Sequence, residues 1–275
     1  GLGDVYKRQG GDGAATVNLS SMGAVVAAAA GAKVVKHGNR AASSKCGTAD
    51  CFEALGLPLD LEPEQVAEVG NECGIAFAFA RTFHPAMRFV GPVRAALGMP
   101  CVFNVLGPLT NPASPKHMAV GCANRAMSPI MAAVYAANGQ TGMVYTSSEG
   151  LDEMAPTGPV SIWEFSNGKV TESEFDPTVE LGLDKVTVAD LKGGEPELNA
   201  QLFRDFLAGK DVPFRTTALL NAASAIVADG HQVPADASLT ERFKAAYAIA
   251  EETVDSGKAS ALLDQWITAA QSKKA

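Results

Sequence analysis

The chain has 275 residues, 30 of them acidic and 22 basic, and its formal net charge is −8. This length allows one large domain or two modest ones, and a hydrophobic content of 47% excludes an intrinsically disordered chain. The acidic balance argues against a broad nucleic-acid-binding surface. The longest apolar run, Ala24–Ala30, is too short to span a membrane.

Cysteine usage predicts a reduced, cytoplasmic protein. The cysteines are odd in number, and no two of them form a CxxC pair, so the pattern indicates neither a disulfide framework nor a zinc site. The five positions are Cys46, Cys51, Cys73, Cys101 and Cys122.

The front of the chain alternates glycine, helix and strand signals. A glycine cluster at Gly10–Gly13 is followed by the N-cap residues Asn18–Ser21, which precede an Ala-rich helix over Met22–Ala30. Next come a short strand at Ala32–Val35 and a polar loop at Lys36–Arg40.

The rest of the chain continues the alternation of short strands and helices. The predicted helices are Ala49–Leu55, Pro63–Cys73, Pro85–Leu97, Pro129–Ala137 and most of the chain after Pro196. The predicted strands are Ile75–Ala80, Cys101–Val105, Met118–Cys122, Met143–Thr146 and a hairpin of Val160–Phe165 with Lys169–Phe175; Gly107–Pro112 is predicted to be a loop. This pattern predicts an α/β fold with a central, largely parallel sheet flanked by helices.

Gly10–Ser21 has the composition of a phosphate cradle. Glycines let backbone N–H groups approach an anion, and the helix that follows presents free N–H groups at its positive end. The segment matches neither the Walker A loop nor GxGxxG. Composition alone therefore leaves a tight turn with a helix cap equally open.

Lys36–Asp50 follows a strand and precedes a helix, where open α/β sheets place their ligands. A solvated loop is the alternative, but two such segments about thirty residues apart favour function. Further along, Asp152 and Glu153 supply hard oxygen ligands suited to Mg²⁺, although this pair alone also fits a surface loop. Arg94 could hold a carboxylate or lie at the surface.

Taken in order, these motifs resemble the anthranilate phosphoribosyltransferase family. The family pattern reads GTGGD, NxS[ST], KHGNRxxSS, G[ST]AD, HP, VRxxLG, FNxLGPLxNP and GLDE. In this chain the pattern stands at Gly10–Asp12, Asn18–Ser21, Lys36–Ser44, Gly47–Asp50, His84-Pro85, Val93–Gly98, Phe103–Pro112 and Gly150–Glu153.

The resemblance implies the fold of class II phosphoribosyltransferases and nucleoside phosphorylases. It also implies a reaction, the second step of tryptophan synthesis from chorismate. The phosphoribosyl group of 5-phospho-α-D-ribose 1-diphosphate (PRPP) is transferred to the amine of anthranilate, and diphosphate is released. Mg²⁺, with two ions expected, serves as cofactor. The intact protein is expected to be a cytoplasmic homodimer that uses neither nucleic acid nor a membrane as a partner.

The resemblance also assigns roles to residues. No general base is expected, because the aromatic amine is already neutral. The residues expected to bind PRPP are Gly11, Asp12, Thr16, Asn18, Leu19, Ser20, Ser21, Lys36, His37, Gly38, Asn39, Arg40, Ala41, Ala42, Ser43, Ser44 and Thr48. Those expected at anthranilate are Asn39, His84, Arg94 and Pro108, and those expected at Mg²⁺ are Ser20, Asp152 and Glu153.

The front of the chain departs from the family pattern. Arg8-Gln9 stand where the family has Gly-Thr, and Pro100 stands where arginine is common. We expect residues 1–9 to be a non-native leader and residues 10–275 to be the α/β domain, with most of a small N-terminal helical domain missing. The helix 85–97 would pack against that domain. Without the domain, the helix would expose apolar surface, and the activity of this chain would be at risk.

Two other functions share features with this sequence. A pyrimidine nucleoside phosphorylase shares the fold and the sugar–phosphate chemistry, but its glycine and lysine motifs differ from Lys36–Arg40. A non-catalytic, nucleic-acid-binding paralogue should have a basic surface, whereas this chain is acidic.

Overall fold

A seven-stranded sheet forms the centre of the computed structural model, which describes residues 5–8, 16–41, 44–90, 103–234 and 236–274. The spatial order of the strands is β3-β2-β1-β4-β5-β6-β7. Their bounds are β1 Val5–Arg8, β2 Val34–Gly38, β3 Ile75–Phe79, β4 His117–Gly121, β5 Thr141–Ser147, β6 Val160–Ser166 and β7 Lys169–Phe175.

The strands β3, β2, β1, β4 and β5 pair in parallel, whereas β6 and β7 add an antiparallel hairpin at one edge. The predicted α/β fold with a largely parallel sheet is therefore confirmed. Parallel strands end at a common edge, so the segments that follow β2, β4 and β5 lie on the same side of the molecule.

The strand β1 belongs to the segment predicted to be a foreign leader. Its backbone lies in the middle of the sheet, where Val5 pairs with Val34 and with His117. The expectation that residues 1–9 are a non-native leader stays a prediction. Four of these residues, Val5–Arg8, form a strand that pairs with β2 and β4.

Helices cover the sheet, and capping residues set many of their ends. Pro63 stands at the start of one helix, beside a capping box between Glu62 and Gln65, and Gly74 ends that helix with a φ of 74°. The helices are Leu19–Ala29, Thr48–Leu55, Pro63–Cys73, Ala80–Phe83, Phe103–Leu109, Ser128–Ala137, Pro177–Glu180, Pro196–Leu207, Arg215–Asp229, Leu239–Asp255 and Lys258–Lys274, with a 3₁₀ turn at Val188–Leu191.

The largest core cluster contains two helices that are buried along nearly their whole length, Leu19–Ala29 and Arg215–Asp229. They cross closely at Gly23, because a Cβ there would lie 2.9 Å from the backbone nitrogen of Ala222. A helix that is apolar on all sides must be enclosed by other elements. The alanine-rich sequence of Leu19–Ala29 fits this buried position.

Two local predictions are wrong. Lys36, His37 and Gly38 were assigned to a polar loop, but they continue β2, paired with β3 and buried. Polar residues alone suggest a loop, but pairing with β3 and burial keep these three residues in the strand.

The strand predicted at Cys101–Val105 and the loop at Gly107–Pro112 are contradicted by the helix Phe103–Leu109, which contains Pro108. A short apolar run cannot be assigned to strand or helix by periodicity alone. In the predicted helix Pro85–Leu97, residues 87–90 are helical and the following residues lie outside the described part.

Across the described residues, we find no helix that combines the length and the apolarity needed to cross a membrane.

Candidate active site

A buried lysine and a serine meet at the carboxyl end of β2. Lys36 is only 1% exposed, and its Nζ donates a hydrogen bond of 3.0 Å to Oγ of Ser20. Ser20 lies in the first turn of the helix Leu19–Ala29. A buried ammonium group beside a helix N-terminus makes this place electropositive, which suits a phosphate group.

The segment leading into that helix is fixed from the other side. The backbone N–H of Val17 donates to the carbonyl of Leu191 over 2.9 Å, and Thr16 forms an isolated antiparallel bridge with Lys192. The four residues predicted to bind PRPP at the helix start are all buried, namely Asn18, Leu19, Ser20 and Ser21. The described part of the predicted cradle, residues 16–21, is therefore enclosed, and its glycine cluster lies outside the described residues.

The two carboxylates predicted to hold Mg²⁺ lie in the loop after β5. Asp152 and Glu153 have no exposed surface, so they do not belong to the solvated loop that was the alternative. Burial raises the pKa of Tyr145 well above its ordinary range, and the charges of Glu153 and Asp152 raise it further. Backbone packing sets the position of this loop, because a Cβ on Gly121 at the end of β4 would clash with the carbonyl oxygen of Asp152.

Asn221 links this acidic loop to the first helix. Its Nδ2 donates to the carbonyl of Met154 at 3.2 Å, and its Oδ1 accepts from the Met154 N–H at 3.3 Å. The backbone of Asn221 also packs against Gly23, one turn after Ser20. The loop holding Glu153 and the helix start holding Ser20 are thus held in one region.

These residues fit a magnesium site. Mg²⁺ is usually held by one or two carboxylates together with waters and substrate phosphates, so two buried carboxylates and a hydroxyl are an adequate protein contribution. Within the described ranges, no cluster of three or more His, Cys, Asp or Glu side chains is placed to hold a metal by itself.

The loop after β2 is folded back onto the helix Thr48–Leu55 by ionic contacts. The Arg40 guanidinium lies 2.7 Å from a Glu53 oxygen and 3.1 Å from an Asp50 oxygen. Asp50 Oδ2 also accepts from the N–H groups of Ala41 and Gly47, at 2.8 Å and 2.9 Å. In this arrangement Arg40 shapes the loop, and its predicted contact with PRPP stays a prediction.

Hydrogen bonding controls the charge state of Asp50. Burial alone would raise the pKa of Asp50, but the backbone N–H groups of Ala41 and Gly47, together with Arg40, hold it below its ordinary value of 3.8. The loop therefore carries an ionised anchor near neutral pH.

Other predicted donor residues lie along the same rim. Thr48 packs closely against β2, since a Cβ on Gly38 would lie 3.0 Å from Cβ of Thr48. Asn39 and Ser44 are exposed, and Asn39 Oδ1 accepts from the Arg40 N–H at 2.8 Å. Predicted residues that lie outside the described part are Gly11, Asp12, Ala42, Ser43 and Arg94.

Three residues predicted near anthranilate can be placed, among them Asn39. The His84 ring lies 5.0 Å from the His37 ring in an edge-on arrangement, so the HP segment adjoins β2. Pro108 is buried, and the segment after it is tied to β2 by Asn111, whose Nδ2 lies 3.3 Å from the carbonyl oxygen of Val35. His84 therefore adjoins β2, and the segment after Pro108 is joined to β2 through Asn111.

Sequence reasoning missed the residues that position this site. No sequence pattern pointed to Gly121, because its role depends on close contact with the loop that contains Asp152. Asp50 stood within a recognised motif but received no role. Asn221 had a usable signal, since it is a lone amide in a long apolar helix, where a buried polar group requires partners.

Comparison with known proteins agrees with this geometry. The family described as "Glycosyl transferase family, a/b domain" matches residues 8–260. An anthranilate phosphoribosyltransferase of Salinispora arenicola is 51% identical over 261 residues, covering 95% of this chain and 73% of the relative. One from Arthrobacter sp. is 51% identical over 258 residues, covering 94% of this chain and 72% of the relative.

Two solved structures extend the comparison. The crystal structure of the Thermus thermophilus enzyme of this name has a TM-score of 0.88 and 42% identity, covering 98% of this chain and 78% of that one. The Saccharomyces cerevisiae enzyme, solved in complex with PRPP and Mg, has a TM-score of 0.85 and 28% identity, covering 98% and 74%. With its fold, its buried contact between Lys36 and Ser20, its buried carboxylate pair and these relatives, the chain belongs to the anthranilate phosphoribosyltransferase family.

Proposed function

We propose that this chain transfers the phosphoribosyl group of PRPP to the amine of anthranilate, releasing diphosphate with the help of Mg²⁺. The observation that carries the proposal is the buried hydrogen bond between Lys36 and Ser20, at the same edge of the sheet as the buried pair Asp152 and Glu153. Family membership and the relatives' names support this choice over nucleoside phosphorolysis and over nucleic-acid binding.

The chain's own groups account for departure of the leaving group. As diphosphate leaves, positive charge develops at the anomeric carbon and negative charge on the phosphate oxygens. Lys36 and the positive dipole end of the helix Leu19–Ala29 would stabilise that negative charge in a site shielded from water. Because their positions are fixed before the reaction, little reorganisation is needed.

Asp152, Glu153 and the Ser20 hydroxyl would hold Mg²⁺, which supplies further charge neutralisation on the diphosphate when bound. The Ser20 hydroxyl already accepts from Lys36, which would place the lysine charge beside the metal and the diphosphate. We expect the site to bind two Mg²⁺ ions.

The acceptor side needs orientation more than proton transfer. An aromatic amine is neutral near pH 7, so its lone pair can attack without a strong protein base. We propose that His84, Asn39 and Pro108 line the anthranilate position and that Arg94 holds its carboxylate as a bidentate pair. The contact between His84 and His37 supports a location beside the donor site.

We further propose that the protein works as a homodimer in the cytoplasm. The four cysteines in the described ranges, Cys46, Cys51, Cys73 and Cys122, are buried and free, which fits a reducing compartment.

The decisive test is loss of anthranilate fluorescence when the purified chain receives anthranilate, PRPP and Mg²⁺. We expect turnover that requires all three and is abolished by a chelator. A second chain, extended at its N-terminus by the helical segment of a relative, serves as the parallel sample. The proposal is wrong if neither chain consumes anthranilate while either one cleaves a pyrimidine nucleoside with phosphate or shifts DNA in a salt-sensitive way.

A further inference from the structure

A buried network of polar side chains lies behind the start of the helix Leu19–Ala29. Asn199, in the helix Pro196–Leu207, donates from its Nδ2 to the Oδ1 of Asn18 over 3.0 Å. The Sγ of Cys46 donates to the same oxygen at 3.5 Å. Asn199 is 1% exposed and Asn18 is 5% exposed, so water competes little for these bonds.

The orientation of both amides follows from one backbone group. The N–H of Gly194 can only donate, and it lies 2.8 Å from the Oδ1 of Asn199. Asn199 must therefore turn its Nδ2 towards Asn18, which in turn must present its oxygen. The Nδ2 of Asn18, its donor end, is left on the opposite side of the amide.

Close packing keeps Asn199 in this position. A Cβ on Gly193 would lie 2.7 Å from Oδ1 of Asn199 and 3.0 Å from the backbone nitrogen of Val17. The Asn199 amide thus fills a slot between the 193–194 backbone and the segment that enters the first helix. No larger residue fits at position 193 without displacing it.

The network also changes how the helix begins. An asparagine at the N-cap ordinarily accepts a hydrogen bond from the helix backbone through its side-chain oxygen. Asn18 is at the N-cap but makes no such side-chain bond, because its oxygen is held by Asn199 and Cys46. The N–H groups of Leu19 and Ser21 are bonded instead to the backbone carbonyls of Val17 and Asn18. The Asn18 side chain is therefore not used as a helix cap, and its direction is set by Asn199 and Cys46.

We propose that Asn199 is a positioning residue for the phosphoribosyl donor. By holding the Asn18 oxygen away, it presents the Asn18 Nδ2 group, a donor, to the diphosphate of PRPP. This inference rests on the proposed function, since it assigns Asn18 to the donor site. It adds a residue that touches no substrate and acts through the direction of a neighbouring amide.

The test is an isosteric reversal, Asn199→Asp. The new carboxylate still accepts from Gly194 N–H, but its second oxygen faces the Asn18 oxygen, so the Asn18 amide must turn over and aim its oxygen at the diphosphate. We expect the KM for PRPP to rise about tenfold or more. The KM for anthranilate should change less than twofold.

A second variant, Asn199→Ala, separates positioning from stability. It removes both hydrogen bonds of Asn199 without adding a charge, so the Asn18 amide can adopt either orientation and the KM for PRPP should rise by less than in Asn199→Asp. We expect Asn199→Ala to be the less stable variant, yet to have the lower KM for PRPP. A purely structural role predicts the opposite ranking of KM, and that result would overturn the proposal. If Asn199→Asp does not fold, an unchanged KM for PRPP in Asn199→Ala overturns it.

Asn18→Asp distinguishes failure of this inference from failure of the proposed function. That variant keeps the acceptor that Asn199 and Cys46 need and places a negative charge towards the donor. If it leaves the KM for PRPP unchanged, the donor site itself is misassigned. If it raises that KM while Asn199→Asp does not, only the role of Asn199 is refuted.

Discussion

Lys36 donates a buried hydrogen bond to Ser20 across 3.0 Å, joining the end of the second strand to the start of the first helix. A lysine with 1% exposure is costly unless its charge is used or compensated. The two residues are sixteen positions apart in the chain, and both fall in segments whose composition suggests phosphate binding. Their contact turns two separate sequence signals into one site.

Lys36→Met removes this charge with little change in side-chain length. We expect kcat/KM for PRPP to fall about 100-fold or more, as for loss of a preorganised donor to a departing anion. The matched control is Lys33→Met, three residues earlier and exposed at the surface, which should keep normal kinetics. Equal losses in the two variants would remove Lys36 from the donor site.

The carboxylate pair is tested by Asp152→Asn combined with Glu153→Gln. Both changes preserve shape and remove the charge that would hold Mg²⁺, so Mg²⁺-dependent turnover should fall by about 100-fold or more. Glu149→Gln, an exposed change in the same loop, is the control. Unchanged turnover at limiting Mg²⁺ would sink the metal assignment.

Arg94 is predicted to bind the carboxylate of anthranilate. Arg94→Ala should raise the KM for anthranilate far more than the KM for PRPP, because only the acceptor loses a bidentate partner. Arg88→Ala, an exposed arginine in the preceding turns, is the control. A similar rise in both KM values would contradict the role.

Asp50 gives the loop after the second strand a pH-dependent anchor. Because its pKa is lower in the folded protein than the ordinary 3.8, its stabilising contribution is complete above that value and is lost as pH falls through the folded pKa. Chemical denaturation at pH 6 and pH 3 should therefore show a larger loss of unfolding free energy in the wild type than in Asp50→Asn. Asp211→Asn, an exposed aspartate, should behave like the wild type. Parallel pH profiles for all three proteins would show that Asp50 is not an anchor.

The fold class could be predicted from the sequence, because a fold class depends on patterns that span many residues. Alternating strands and helices, the hairpin at residues 166–168 and the entry of the helix at Pro63 were all local signals. The loop predicted for Lys36 and His37 is wrong because both residues are buried within β2 in spite of their polarity.

The chemistry of the site was easier to predict than its support. Lysine, serine and paired carboxylates carry their function in their side chains. Gly121, Asn199 and Asn221 act through neighbours distant in the chain, at positions where a backbone approaches or an amide bridges. A single sequence does not encode those distances in any local pattern.

Gly121→Ala tests whether backbone packing sets the position of the metal ligands. The added methyl group would clash with the carbonyl oxygen of Asp152, and a backbone carbonyl cannot move aside as a flexible side chain can. The acidic loop must therefore shift, and the Mg²⁺ concentration needed for half-maximal turnover should rise at least tenfold.

The matched control is Gly139→Ala, where an added Cβ meets nothing within 4 Å but the backbone has a φ of 74°. That variant should lose about 1 kcal/mol of unfolding free energy from its left-handed conformation and keep the normal Mg²⁺ response. Gly139→Ala should therefore lower stability without changing the Mg²⁺ response, whereas Gly121→Ala should change the Mg²⁺ response. If Gly121→Ala bound Mg²⁺ normally, the Asp152 loop would have another support, and Asn221 would be the residue to remove next.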